Sequence, residues 1–297
     1  MLIIRFSLNK KLKDIFVKSL LSIAASASII IVFLIFIFLL KEAIPFISNP
    51  GLNELFSSNW IPVSFQKEQF GIYPLISGSV LVTVIATVLL IPFGVIAAVY
   101  ISEIAMGFER EILKPFIEIL AGIPSVVIGF FGLIVLSPII KGLFNLNTGL
   151  TALTGAVLLA LMAIPTVITI SEDAIRSVPK SYKEASLALG ASKLQTIFRI
   201  TVPAALPGII AAIMLGMGRV IGETMVVLMV TGNAAKISWN PFDSVRTMTA
   251  TIAAEMGEVA IGSTHYSALF WVGIILMIIT FGLNIVAQKV LKKYQMR

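Results

Sequence analysis

Ser181-Tyr-Lys-Glu184-Ala185-Ser186-Leu-Ala-Leu-Gly190, continuing through Lys193, Arg199 and Ile200 to Pro203, is a basic, amphipathic island between two long apolar runs. A stretch this polar in so apolar a chain has to face water. The runs beside it are therefore read as membrane-embedded and the island as a turn outside the bilayer. Its local chemistry predicts a helix, a corner and a second helix. Pro179 can start a helix, and Ser181 with Glu184 has the form of a capping box. Tyr182, Ala185 and Leu189 fall on one narrow apolar face. Gly190 is a natural C′ residue, free to take positive φ. Ser192 can cap the second helix, whose stripe is Leu194, Ile197 and Phe198, and Pro203 opens the next span.

Composition agrees with the membrane reading. The chain has 297 residues, 58% hydrophobic and 12% charged, against about 25% charged in soluble domains, and its mean hydropathy is +1.02. It has no cysteine, which excludes disulfides and thiolate metal sites, and His265 alone cannot supply a histidine metal centre or a Ser-His-Asp triad.

Outward from the island, six spans are expected, making the fold an all-α polytopic bundle. Ser19–Leu40 is charge-free and long enough, at roughly 33 Å, to cross a ~30 Å hydrocarbon core. It exceeds a signal-peptide core and lacks a small-x-small cleavage pattern after Lys41, so it reads as an uncleaved first span. The others are residues 74–101 with Pro92, Ile119–Ile140 interrupted at Gly122-Ile-Pro124-Ser125, Gly149–Ile170 with Pro165, Val202–Val230, and Ser267–Gln288. Residues 103–118 read as a charged loop, and Trp60 and Tyr73 as boundary aromatics. The organisation divides into 1–70, comprising a cytoplasmic N-terminus, the first span and an external segment, and 71–297, the transmembrane domain proper, with the island loop at 172–203.

Charge sets the orientation. Sixteen of the 22 basic residues fall on the side of the termini and the island: Arg5, Lys10, Lys11, Lys13, Lys18, Arg110, Lys114, Arg176, Lys180, Lys183, Lys193, Arg199, Lys289, Lys292, Lys293 and Arg297. Lys41, Lys67, Lys141, Lys236 and Arg246 fall on the other. The positive-inside rule makes the first side cytoplasmic and accounts for the net charge of +7 without nucleic acid.

Two features go beyond architecture. The island is either an interfacial helix that stabilises the bundle or a surface whose small residues Ala185, Ser186 and Ala188 seat in a partner's groove. In the fifth span, Gly218-Arg219-Val-Ile-Gly222-Glu223-Thr224 sets two charges in an apolar run, an arrangement that is expensive in lipid. Four apart on one helix, Arg219 and Glu223 share a face and can pair, which would make them structural glue. Alternatively Arg219 faces a translocation path, where its planar donors suit phosphate-type oxyanions. Gly218 and Gly222 then permit close backbone approach, and Thr224 can donate to an oxyanion or back-bond its own helix. Arg246, Glu255 and Glu258 read as a solvated face of a short helix over 247–258, and His265 as an interfacial residue.

Glu184-Ala185-Ser186-x3-Gly190-x9-Ile200-Thr-Val202-Pro203 resembles the EAA loop of ABC importer permeases, Glu-Ala-Ala-x3-Gly-x9-Ile-x-Leu-Pro, departing at Ser186 and Val202. Arg219-Val-Ile-Gly222-Glu223-Thr224 resembles the Arg-Ala-Ile-Gly-Glu-Thr signature of phosphate permeases; sulfate and molybdate permeases carry Arg-Ala-Leu-Gly-Glu-Phe. Trp60-Ile-Pro62, the segment Phe70–Gly78 and the segment Glu118–Gly129 extend the resemblance over roughly 60–290. The resemblance implies a type I (MetI-like) importer bundle in the inner membrane, catalysing no bond chemistry. Glu184, Ala185, Ser186 and Gly190 would couple to an ATPase, and Arg219, Glu223 and Thr224 would line the substrate path. It implies a homologous permease subunit, an ATPase dimer and an external phosphate-binding protein as partners, within membrane lipid. This chain has no Gly-x4-Gly-Lys-Ser/Thr segment, so ATP and Mg would bind the ATPase rather than this chain. Two rivals remain: a sulfate or molybdate permease, and an ATP-independent phosphate carrier.

Overall fold

The computed structural model describes residues 2–295, with side chains over 14–292. The side chains of Arg5, Lys10, Lys11, Lys13 and Lys293, and the whole of Arg297, lie outside the described part.

Helix α1, Leu2–Ser48, is followed by a short α2, Leu52–Leu55. A small antiparallel ribbon comes next, β1 (Trp60–Ile61) with β2 (Gln69–Phe70), pairing Trp60 with Phe70. Then come α3 (Tyr73–Val99), α4 (Gly107–Gly122), α5 (Ser125–Phe131), α6 (Ser137–Leu143) and α7 (Ala152–Arg176). The island supplies α8 (Lys180–Ala188) and α9 (Lys193–Thr196). It leads into α10 (Val202–Gly222), α11 (Met225–Val230), α12 (Met248–Glu255) and α13 (Thr264–Gln295). Among the described residues six helices are long and apolar enough to cross a membrane: Asp14–Ser48, Tyr73–Ile104, Ser125–Leu143, Ala152–Arg176, Lys193–Gly222 and Thr264–Lys292.

α3, α7 and α10 form the centre of the bundle, packed through Leu81, Ala86, Leu90, Leu159, Ala163, Val167 and Ala212. Small residues permit this contact, as membrane helices associate by packing rather than by hydrophobic expulsion. Gly94 of α3 shows how close the approach is, since a Cβ there would lie 2.8 Å from Val167 Cγ1 of α7. The apolar side chains of α1 from Ile15 to Ile35 stay exposed, as lipid-facing residues should, while Ala43 and Phe46 are buried near α13 and the ribbon. Prolines 92 and 165 sit inside continuous helices, which membrane helices tolerate when neighbouring groups relieve the carbonyl four residues earlier. Thr169 back-bonds to the Pro165 carbonyl at 3.0 Å.

Several expectations need correction. The fifth span is not continuous to Val230: α10 stops at Gly222, and Glu223 takes extended backbone angles (φ −70, ψ 136) before α11 begins. The third span starts at Ser125, because the Ile123–Pro124 segment is extended and separates it from α4. Residues 107–118 are thus helix rather than loop. The fourth begins at Ala152, with Thr151 as N-cap accepting from the Thr154 amide at 3.3 Å. Trp60 is 3% exposed in the packed ribbon, not at a lipid boundary.

The connecting segments close over the end of α7 remote from the island. The amides of Ala152 and Leu153 donate to the carbonyls of Asp243 and Pro241 at 2.9 and 2.8 Å, answering the orphan donors of a helix start. The Ser238 hydroxyl, donating to Asp243 at 2.7 Å with Lys236 alongside, holds that carboxyl below its ordinary value.

Candidate functional site

At the island, α8 begins at Lys180 with Pro179 as its N-cap, and no side-chain capping bond forms. Pro179 starts the helix early enough that Ser181 already lies inside it, so the Ser181–Glu184 box is absent. The box forms instead at α9, where the Gln195 amide donates to Ser192 Oγ at 3.3 Å and the Ser192 amide to Gln195 Oε1 at 2.9 Å. Gly190 turns the corner at φ +83, which requires glycine or a residue tolerant of left-handed geometry. Of the second stripe only Ile197 is buried; Leu194 and Phe198 are exposed.

α8 buries none of its residues. Glu184 and Ala185 are exposed, as are Tyr182 and Leu189 at 56% and 89%. Ser186 Oγ is 3.0 Å from Thr196 Oγ1, tying the two island helices together. Tyr182, Ala185, Ser186, Leu189, Ala191 and Ile200 line an open concavity of about 400 Å³. A helix kept only to stabilise its own bundle would turn its apolar face inward; this one turns it out.

The charged element lies at the other end of α10. From Val202 to Arg219 the helix rises about 26 Å. Arg219 is exposed and donates through Nη1 to Thr166 Oγ1 of α7 at 3.2 Å. Glu223 does not pair with it. With the helix ended at Gly222, Glu223 is no longer one turn above Arg219, and its Oε1 accepts the amides of Met225 and Val226 at 3.0 and 3.3 Å. The carboxylate thus holds the start of α11, and its main-chain oxygen accepts from Thr249 Oγ1 of α12 at 2.9 Å. Thr224 Oγ1 points back to the Gly222 carbonyl at 3.4 Å. Among the described residues, a Cβ at Gly218 or Gly222 would meet nothing within 4 Å.

The consequence is chemical. A guanidinium carries five N–H donors. That of Arg219 gives one to a neutral hydroxyl and has no ion-pair partner among the described residues. Its charge stays available to an oxyanion. Sequence spacing missed Thr166, 53 residues away, for which no local motif exists.

The face remote from the island carries a second unforeseen cluster. Glu255 receives Trp60 Nε1 at 3.1 Å, Arg246 Nη1 at 2.5 Å and His265 Nε2 at 2.8 Å. This carboxylate is 15% exposed and knits β1, α12 and α13 together, so Arg246 and Glu255 are not a solvated face, and His265 is packed against Trp60 and Phe70. Glu255→Ala strands three donors and is expected to cost about 2–3 kcal/mol. Thermal unfolding of the purified protein in detergent checks this; an unchanged midpoint would remove the cluster's structural importance. Among the described residues no group of three or more His, Asp or Glu side chains could hold a metal ion.

The family described as binding-protein-dependent transport system inner membrane component matches residues 90–294. A probable ABC transporter permease protein, YqgH of Bacillus subtilis, is 41% identical over 227 residues, spanning 76% of this chain and 73% of the relative. The phosphate transport system permease protein PstC of Mesorhizobium japonicum is 34% identical over 270 residues, covering 84% and 81%. PstC 2 of Mycobacterium tuberculosis is 31% identical over 291 residues, covering 91% and 89%. A bacterial alginate ABC transporter, solved with its periplasmic protein, superposes with a TM-score of 0.64 at 16% identity, over 90% of this chain and 92% of that one. The inward-facing MetNI methionine ABC transporter gives 0.56 at 18% identity, over 75% and 94%. At these identities the two structures support the fold alone.

Proposed function

The chain belongs to the binding-protein-dependent transport inner membrane component family, and on that premise we propose that it is the PstC-type membrane subunit of an ATP-driven phosphate importer. As a member of that family it is a multi-pass transport permease and not an enzyme. In our reading it forms the translocation path with a homologous PstA-like subunit and receives phosphate from an external PstS-like binding protein. A PstB-like ATPase dimer, holding ATP and Mg, docks on the island. Both termini and α8 then face the cytoplasm, in keeping with the basic bias of that side.

The observation that carries the cargo assignment is Arg219, an exposed guanidinium at the broken end of α10 whose one described hydrogen bond is to a neutral hydroxyl. Paired with Glu223 it would be glue; unpaired, it is a ready oxyanion contact that can also let go. The exposed, outward-turned apolar face of α8 and its concavity support the docking role. α10 and the π-helical turn before it, Ile197–Thr201, join the two as one element. ATP-driven movement at the island is thereby passed along α10 toward Arg219, and Glu184, Ala185, Ser186 and Gly190 form the grip.

The test is transport by the reconstituted four-component complex offered phosphate, sulfate and molybdate. ATP- and binding-protein-dependent uptake of phosphate above the other two is expected. Preference for sulfate or molybdate would overturn the cargo, and uptake by this chain alone without ATP would overturn the class.

A further inference from the structure

The inner end of the second span is not a plain helix terminus. After Val99, α3 passes into a π-helical turn, Tyr100–Ile104, a geometry that recurs in helices at functional positions. Side chains from two other elements grip it. Arg110 of α4 donates through Nε to the Ile101 carbonyl at 3.0 Å and through Nη2 to that of Ser102 at 2.6 Å. Glu109 accepts from the Tyr100 hydroxyl at 3.1 Å. From α8, Lys183 Nζ donates to Glu103 Oε1 at 2.5 Å, with the two side chains 25% and 11% exposed.

This last contact has a special position. Among the described residues it is the one side-chain hydrogen bond or ion pair joining α8 to the second span; the other, Ser186 to Thr196, ties α8 to the start of the continuous helix Lys193–Gly222. The chain connections of α8 are turns at both ends, through Ser177–Pro179 and through the positive-φ Gly190. Turns transmit displacement poorly. A short ion pair shielded from solvent is screened less than a surface pair and resists being pulled apart.

We propose that Lys183–Glu103 is the strut through which α8 drives the second span, so that α3 moves with the island while α7 and α10 move through their own turns. Lys183 and Glu103 are positioning residues that touch neither nucleotide nor cargo. The inference rests on the reading of α8 as the ATPase dock and deepens it: α8 would act on α3 directly, besides acting along the chain on α10.

The test uses the assembled complex and two readouts. The first is phosphate moved per ATP hydrolysed in Lys183→Glu, Glu103→Lys and the doubly swapped protein. Each single reversal should lower the ratio by about tenfold with the ATPase still co-purifying, and the double swap should restore most of it, as a direct pairwise interaction requires. An unchanged ratio in the singles, no recovery in the double swap, or loss of the ATPase from Lys183→Glu would each overturn the strut. The second readout does not depend on cargo. Because the chain has no cysteine, Lys180→Cys and Met106→Cys are its only thiols and take spin labels selectively in a complex whose partner subunits have had their cysteines replaced. The distance between them should stay constant when nucleotide is added to the otherwise unaltered protein and should change in Glu103→Lys. A change of several ångströms without that reversal would overturn the proposal whatever the cargo. Failure of the proposed function, in contrast, would appear as a wild-type complex that moves no phosphate or needs no ATP.

Discussion

Arg219→Ala is expected to lower phosphate uptake by the assembled complex about a hundredfold or more, with expression and co-purification of the partners unchanged. The magnitude follows from removing the charge that would supply several hydrogen bonds to the anion. The folded chain should tolerate the change, since Arg219 is exposed and its one described tie is to Thr166. Arg219→Lys keeps the charge without the planar donors and should fall between the two. Thr166→Val leaves the charge in place and should reduce uptake only a few-fold, as expected for one neutral hydrogen bond. Glu223 gives a graded comparison. Glutamine there can still accept from the Met225 and Val226 amides, so Glu223→Gln should retain more uptake than Glu223→Ala, which frees the start of α11. Normal uptake by Arg219→Ala, measured with labelled phosphate in proteoliposomes, would end the claim that this guanidinium lies on the path.

The second large effect is expected at the island. Glu184 is exposed, and no side-chain partner holds it among the described residues. Reversing its charge should leave the bundle's own stability within about 0.5 kcal/mol. If α8 docks in an ATPase cleft, the same reversal places a cation where an anion is accommodated, and unpairing a buried interfacial charge costs about 2–5 kcal/mol. Glu184→Lys should therefore weaken retention of the ATPase by tenfold or more and abolish transport-stimulated hydrolysis, with an unchanged thermal midpoint for the isolated chain. Co-purification and stimulated hydrolysis at wild-type levels would return α8 to the role of an interfacial stabiliser. Gly190→Asp acts differently: it forces a Cβ into φ +83, a geometry aspartate tolerates better than most residues, so its effect would mix backbone strain with a misplaced charge.

The elements of this chain differ in how far their own residues determine them. Six spans and a water-facing island were legible from composition and charge, because an apolar run of about twenty residues has few alternatives once lipid is the solvent. The Gly190 corner and the Ser192 cap were legible for a related reason: a cap or a positive φ is decided within three or four residues. The Arg219–Glu223 segment announced itself as costly in lipid, but its geometry did not follow from spacing. An i, i+4 argument presumes one helix, and the helix stops at Gly222. That stop is held by contacts from distant sequence, with Thr249 on the Glu223 carbonyl and the packing of α11 against α5 and α7. For the same reason Thr166 as the partner of Arg219, Glu255 as a hub for Trp60, Arg246 and His265, and Lys183 bonded to Glu103 could be known only from the folded chain. Local preference decides between helix and turn over a few residues; which charges meet depends on how α3, α7, α10 and α13 pack, and no spacing within one segment encodes that.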